Sequence, residues 1–416
     1  MLDKIVYGSL HYFRILPVFT GLWAGVKLGT CRTGMTTSRY FITGLITIII
    51  CIVCVSTGHA QSKMSQSAGQ AIIEAIRITE PLNFCGEPVP LTDPDVRERL
   101  ERELLVSLDN NDEIILWLKR ANRYFPDIEK TLKTQSMPDD LKYITIAESS
   151  LRPLAFSNKG AVGYWQFIEG TGTRYGLDVS NDIDERRNVY KATQAATKYL
   201  RDLYALFGSW TLAAAAYNMG EDGLKSEILV QKVNNYYKLY LNQETQRYIF
   251  RILAAKIIIS NPTKFGYVLS KDDLYSPRQF DTVEIQASQP VSLHVIAQAA
   301  DTYFKIIKDL NPQIKFYHLP AGTYQISIPK GSANAFYERY DKLMAEWLAL
   351  KNNSVYTVKK GDTLTGIAAR FNVPFKALTI WNSISNRKIV PGDKLYVFSD
   401  SLKSGSKSDN SADPSP

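Results

Sequence analysis

The spacing of apolar residues changes character once along this chain, at Asn261-Pro262. Upstream, from about residue 61, apolar side chains recur at the three- and four-residue intervals of amphipathic helices, over 112–134, 138–151, 188–207, 210–217 and 243–260. Asp93 stands where an N-cap precedes PDVRERLERELLVSL, with Pro94 at the first helical position. The step into Pro262 closes that pattern, because proline disfavours helical backbone in the residue before it. A loop-like stretch with Gly266 and Pro277 runs to about residue 282, and short strand–helix–strand units follow. The expected fold class is α+β, a mostly helical domain followed by small βααβ modules.

Those modules form a repeat. At a constant offset of 71, Ser292-Leu293 matches Thr363-Leu364, Ile296-Ala297 matches Ile367-Ala368, and Phe304-Lys305 matches Phe375-Lys376. Asn311 then matches Asn382, and Pro320 matches Pro391. An ungapped register of this kind reads as two copies of one unit, at 282–331 and 354–398. The Ser/Asp/Lys/Pro-rich tail, 399–416, has too few apolar residues to offset its ordering entropy and is expected to be disordered.

At the other end, Phe41 to Val55 is free of charge, follows Arg39, and leads to a small-x-small exit at Gly58 and Ala60. Residues 35–60 are expected to be a secretory signal or a retained N-terminal anchor, the run being shorter than the ~20 residues of a full span. Met35 opens a complete signal, so 1–34 is either an over-extended start or part of the leader. The expected location is the cell envelope or periplasm, with membrane association through this segment if it is retained. No lipobox precedes Cys51 or Cys54.

The net charge of +8 is uneven. Residues 1–60 hold five Lys/Arg against one Asp, and 355–398 hold seven against two, while 61–354 carries 35 of each sign. A neutral body argues against nucleic acid as a partner. Three of the four Cys precede residue 60, which excludes a disulfide framework or a four-Cys zinc site. No His lies between 60 and 293, so chemistry there uses no imidazole. No metal or cofactor is expected.

In 138–151 the apolar stripe runs Leu141, Ile144, position 148, Leu151, and position 148 is Glu148. An inward carboxyl is either paired, with Arg152 or Arg174, or has its pKa raised by desolvation and serves as a general acid. Downstream, the turn-rich 157–163 leads into Tyr164-Trp165-Gln166-Phe167, which is either core or a sugar site with rings to stack on and an amide to hydrogen-bond. Ala213 to Ala216 lead into Tyr217-Asn218 ahead of Gly220, and Tyr248 sits on the last long helix.

In order and spacing, Glu148-Ser149, Gly163-Tyr164-Trp165-Gln166, Ala216-Tyr217-Asn218 and Tyr248 resemble the motifs of the lytic transglycosylase domain, related to goose-type lysozyme, over 84–262. The family's usual Gly-Leu-Met-Gln is here Gly-Tyr-Trp-Gln. The resemblance implies a lysozyme-like helical fold and cleavage of the β-1,4 bond between N-acetylmuramic acid and N-acetylglucosamine, with a 1,6-anhydro product. Glu148 is then the catalytic residue, and Ser149, Gln166, Tyr217, Asn218 and Tyr248 bind substrate or position the acid. The alternatives are a non-catalytic wall-binding scaffold, or a hydrolytic muramidase using Glu169, Asp182 or Asp184, acids that otherwise form a solvated face or salt bridges to Arg186 and Arg187.

Residues 355–398 resemble LysM, which implies binding of peptidoglycan glycan strands. The implied groove lies between Gly361, Asp362, Thr363 and Leu364 on one side and Ile389, Val390 and Pro391 on the other. The copy at 282–331 has Pro290-Val291 in place of Gly361-Asp362, a degenerate module that either binds glycan or acts as a spacer.

Overall fold

The computed structural model describes residues 69–382, 384 and 388–398. The leader at 1–60 and the tail at 399–416 lie outside the described residues. Among the described residues no helix is long and apolar enough to cross a membrane.

After a two-strand hairpin (β1 Asn83–Phe84, β2 Glu87–Pro88), the first half is helical. Its helices are α1 Pro94–Leu108, α2 Asn111–Thr134, α3 Ile144–Ser149, α4 Glu169–Arg174, α5 Val189–Phe207, α6 Trp210–Met219, α7 Glu221–Gln231 and α8 Gln243–Ser260. The expected cap is in place, Asp93 accepting from the Asp95 amide, and the structure adds two more, Asn188 accepting from Tyr190 and Lys191 and Asn242 from Thr245. The four alanines 213–216 are fully buried, and this lets α6 pack closely against α5 and α8. One apolar core runs from Phe84 to Ile258.

Two features depart from the sequence pattern. The helix expected over 138–151 is a 3₁₀ turn, Asp139–Tyr143, followed by the six-residue α3. It stops because Ser150 and Leu151 both adopt left-handed backbone, φ 52° and 59°. The stripe itself holds, with Leu141, Ile144 and Leu151 all buried. Helix α7 was not visible in the periodicity, because Leu224 is its one buried side chain.

The repeat folds in register. In the first copy β3 Phe280–Ala287 pairs antiparallel with β6 Gly322–Pro329, and β4 Val291–Ser292 with β5 His318–Leu319. Between them lie α9 Leu293–Ala299 and α10 Phe304–Leu310. Helix α11, Phe336–Asn353, leads to the second copy: β7 Val355–Thr357, α12 Leu364–Arg370, α13 Phe375–Trp381 and β8 Lys394–Tyr396. Ser292 and Thr363 cap equivalent helices. Asn311 Nδ2 donates to Ile307 and Ser327 carbonyls, at 2.8 and 2.7 Å. Asn382 does the same to Leu378 and Tyr396, at 2.8 and 2.9 Å. Each asparagine thus pins its second helix to its last strand, which explains why the residue recurs.

The first copy is not a free bead. The Asp184 amide donates to the Gln313 carbonyl and the Lys315 amide to Asp182, both at 2.8 Å, forming an antiparallel bridge between Ile183 and Ile314. Ile183 is buried in the module's core, not in that of the helical domain.

Candidate active site

Glu148 is the next-to-last residue of α3, and its carboxyl forms part of the floor of a cleft of about 540 Å³. The Tyr248 hydroxyl, from the fully buried face of α8, donates to Glu148 Oε1. Burial pushes the Glu148 carboxyl up to about 7, against the opposing pull of the Tyr248 hydrogen bond and the Arg251 charge. The exposed Glu244 carboxylate adds a small upward push. Neither arginine expected as a partner is one. Arg152 Nε donates to the Ser149 carbonyl, and Arg174 pairs with Glu221 at 2.9 Å.

Of the residues named by resemblance, Gln166, Tyr217 and Asn218 line the cleft with Glu148. Gln166 has φ 49°, and its Nε2 donates to the Gly163 and Ala155 carbonyls at 2.9 and 3.3 Å. That leaves Oε1 without a partner among the described residues. Tyr217 donates to the Trp165 carbonyl at 2.6 Å, and Asn218 Oδ1 accepts from Thr245 at 2.8 Å. Ser149 and Tyr248 stand behind the wall. The Ser149 hydroxyl is buried and donates to the Tyr164 carbonyl at 2.8 Å, tying α3 to the loop that carries Gln166.

Of the two readings of the Tyr164-Trp165 pair, core or sugar platform, the structure shows the core. Tyr164 and Trp165 are core residues, and Trp165 Nε1 donates to Thr193 at 2.9 Å. Glu169, Asp182 and Asp184 do not reach the cleft: Glu169 is exposed, Asp182 faces His318 at 3.6 Å, and Asp184 is buried against Arg186. The ion pair of Asp184 with Arg186, expected as the alternative to a catalytic role for that acid, is present, and it is buried and braces the loop. Arg186 Nε and a terminal nitrogen contact the two Asp184 oxygens at 2.8 and 2.9 Å, while its other nitrogen donates to the Gly160 and Phe167 carbonyls. Opposite charges closely spaced in sequence usually form a solvated turn, so burial was the missing signal. Gly163 lies under this clamp at φ 83°, where a Cβ would stand 1.9 Å from the Arg186 carbonyl oxygen. The sequence also gave no sign of Arg251, or of Tyr199 and Glu221, which hydrogen-bond at 2.8 Å on the cleft wall.

In the last module the β7 end is bonded to the opposing turn, Val358 donating to the Asp393 carbonyl and accepting from the Gly392 amide. Gly361, Thr363, Val390 and Pro391 are exposed there, while Leu364 and Ile389 are half-buried against the small core. Asp362 accepts from the Tyr356 hydroxyl at 2.6 Å and the Lys359 amide at 2.8 Å, which rigidifies the turn.

A helical domain whose cleft has one desolvated, protonatable carboxyl on its floor, with amide and phenol groups and the exposed or paired carboxylates of Glu244 and Glu221 on its walls, defines a lysozyme-like, glycan-cleaving enzyme. The Transglycosylase SLT domain model matches 126–239, the LysM domain model 356–398, and the model of the LysM-like domain of lytic transglycosylase MltD 279–345. Over 385 residues the chain is 30% identical to membrane-bound lytic murein transglycosylase D of Escherichia coli K12, covering 85% of this chain and 84% of that one. Over 44 residues, 11% of the chain and 14% of the relative, it is 50% identical to N-acetylmuramoyl-L-alanine amidase sle1 of Staphylococcus saprophyticus. The chain belongs to the family of membrane-bound lytic murein transglycosylase D.

Proposed function

We propose that this protein is a peptidoglycan lytic transglycosylase of the cell envelope, with Glu148 as its one acid and base. The observation that carries the reading is the Glu148 carboxyl itself, open to the cleft and held near pKa 7. Protonated, Glu148 gives its hydrogen to the glycosidic oxygen as the bond to muramic C1 breaks. As the carboxylate, it takes the proton of the muramic C6 hydroxyl while that oxygen bonds to C1 and closes the anhydro ring. No water is consumed, the proton returns to Glu148, and no second carboxylate is required. A group that works in both directions needs a pKa near the ambient pH.

Gln166 Oε1, Tyr217 and Asn218 hold the sugar; Tyr248 and Ser149 hold the acid and its helix. The catalytic domain is taken as 84–262, and the last module grips glycan strands through the groove at 361–364 and 389–391, raising the local concentration of substrate. The charge-free run in the leader supports export to the periplasm, with the membrane as anchor if the leader is kept. Mass spectrometry of digested sacculi tests the reading. Anhydro-muropeptides are expected from the wild type and, over the same digestion, at least about a hundredfold less from Glu148→Gln. Reducing ends point to hydrolysis, and no product with retained pelleting on sacculi points to a scaffold.

A further inference from the structure

The repeat register locates a second cleft. Adding 71 to Pro290, Ser292 and His318 gives Gly361, Thr363 and Ile389, all positions of the last module's proposed groove. In the first copy these three residues line a cleft of about 360 Å³, within the ~300–1,000 Å³ of small-ligand pockets. Its far wall is not part of that module. It comes from Trp347 and Lys351 of α11 and from Trp381 at the end of α13.

The chemistry of that wall differs from a packing seam. Tyr317, 47% exposed, stacks on Phe304 at 5.3 Å and lines the cleft. Lys351 lies between two rings, its ammonium 4.7 Å from the Trp347 centroid and 4.6 Å from that of Tyr396, and donates to Gln289 at 3.2 Å. Flat apolar faces flanked by a hydroxyl, imidazoles and an ammonium suit a ligand with apolar C–H faces and polar edges.

We propose that this cleft between the two copies is a second saccharide site, taking an N-acetylated sugar of the glycan strand against Tyr317, Trp347 and Trp381. The inference rests on the peptidoglycan-directed reading above. Replacement of Gly361-Asp362 by Pro290-Val291 has not removed the groove; α11 and the last module have supplied a new wall for it. Two such sites on one chain engage a strand together, so the second adds avidity.

The test is a titration of the full chain carrying Glu148→Gln and 5-fluorotryptophan with tetra-N-acetylchitotetraose, followed by fluorine NMR. The Trp347 resonance is assigned by Trp347→Phe. Saturable movement of the Trp347 and Trp381 resonances is expected, with at least a tenfold weaker apparent Kd in Tyr317→Ala, whose exposed ring leaves the core intact. Val390→Asp, in the last groove, is expected to leave the Trp347 response in place. A Trp347 signal that does not move, moves equally in Tyr317→Ala, or vanishes in Val390→Asp overturns the proposal. The anhydro-product assay on sacculi uses the wild type and is read separately, so the two readings fail independently.

Discussion

Tyr248 donates its phenolic hydrogen to a carboxyl one hundred positions earlier, that of Glu148, and so joins the last long helix of the domain to the end of the six-residue α3. The bond favours the ionised acid and holds down a pKa that burial alone would carry above 7.

Removing that donor therefore changes the pH profile as well as the rate. In Tyr248→Phe the Glu148 pKa rises, so the alkaline limb of kcat/KM, which follows loss of the acid's proton, moves to higher pH. Arg251→Met is expected to act in the same direction, because the Arg251 charge also favours the carboxylate. Turnover of glycan strands between pH 5 and 9 measures both; a limb that stays near 7 contradicts the coupling.

Glu148→Gln is expected to cost about 10²–10⁴ in rate, the usual scale for a general acid. It also changes stability. The folded-state pKa is raised from 4.5 to about 7, so the native protein holds this proton more tightly than the unfolded chain does. Wild-type stability then falls as pH rises from 4.5 through 7 and stays reduced above, by roughly 3 kcal/mol at most. The Gln variant lacks this term. Its Tm is expected to exceed that of wild type at pH 8 and to approach it at pH 4.5, as thermal scans at the two values will show.

Asp184→Asn leaves the buried Arg186 guanidinium without its counter-charge. Breaking a buried ion pair from one side costs about 3–5 kcal/mol, and here the loop from Gly160 to Phe167 loses its brace as well. Urea unfolding is expected to show a lower midpoint, with KM rising because Gln166 is no longer fixed. An unchanged midpoint contradicts the clamp.

Gly163→Ala places a methyl group against the Arg186 carbonyl in a left-handed backbone position. The cost is expected to be at least about 2 kcal/mol. Gly160, also at positive φ but with open space around it, is the control; its alanine variant should lose only the smaller backbone term.

The readable parts of this molecule were those encoded locally. The cap Asp93 and the alanine run of α6 declare themselves within a few residues, and Asn311 and Asn382 through an ungapped repeat. So did Glu148, because a carboxyl on an apolar stripe breaks a short-range rule. What stayed hidden depends on distant neighbours. Only the tertiary fold sets Arg251 behind Tyr248, buries Asp184 with Arg186, or sinks Tyr164 and Trp165 in the core while Gln166 turns outward. Helix α3 was overextended because no residue-level signal marks Ser150 and Leu151 as left-handed. Their backbone is held by long-range bonds, with Trp117 Nε1 on the Ser150 hydroxyl at 3.0 Å and Arg120 on its carbonyl.

The bridge between Ile183 and Ile314 bears on how the enzyme can be taken apart. A fragment ending at Asn261 keeps every side chain that lines the Glu148 cleft, yet strips the cover from Ile183 and opens an unpaired backbone edge beside it. Such an edge invites self-association. The shortest well-behaved piece of this enzyme thus ends after Pro329, and chimeras that exchange wall-gripping parts should be spliced downstream of it.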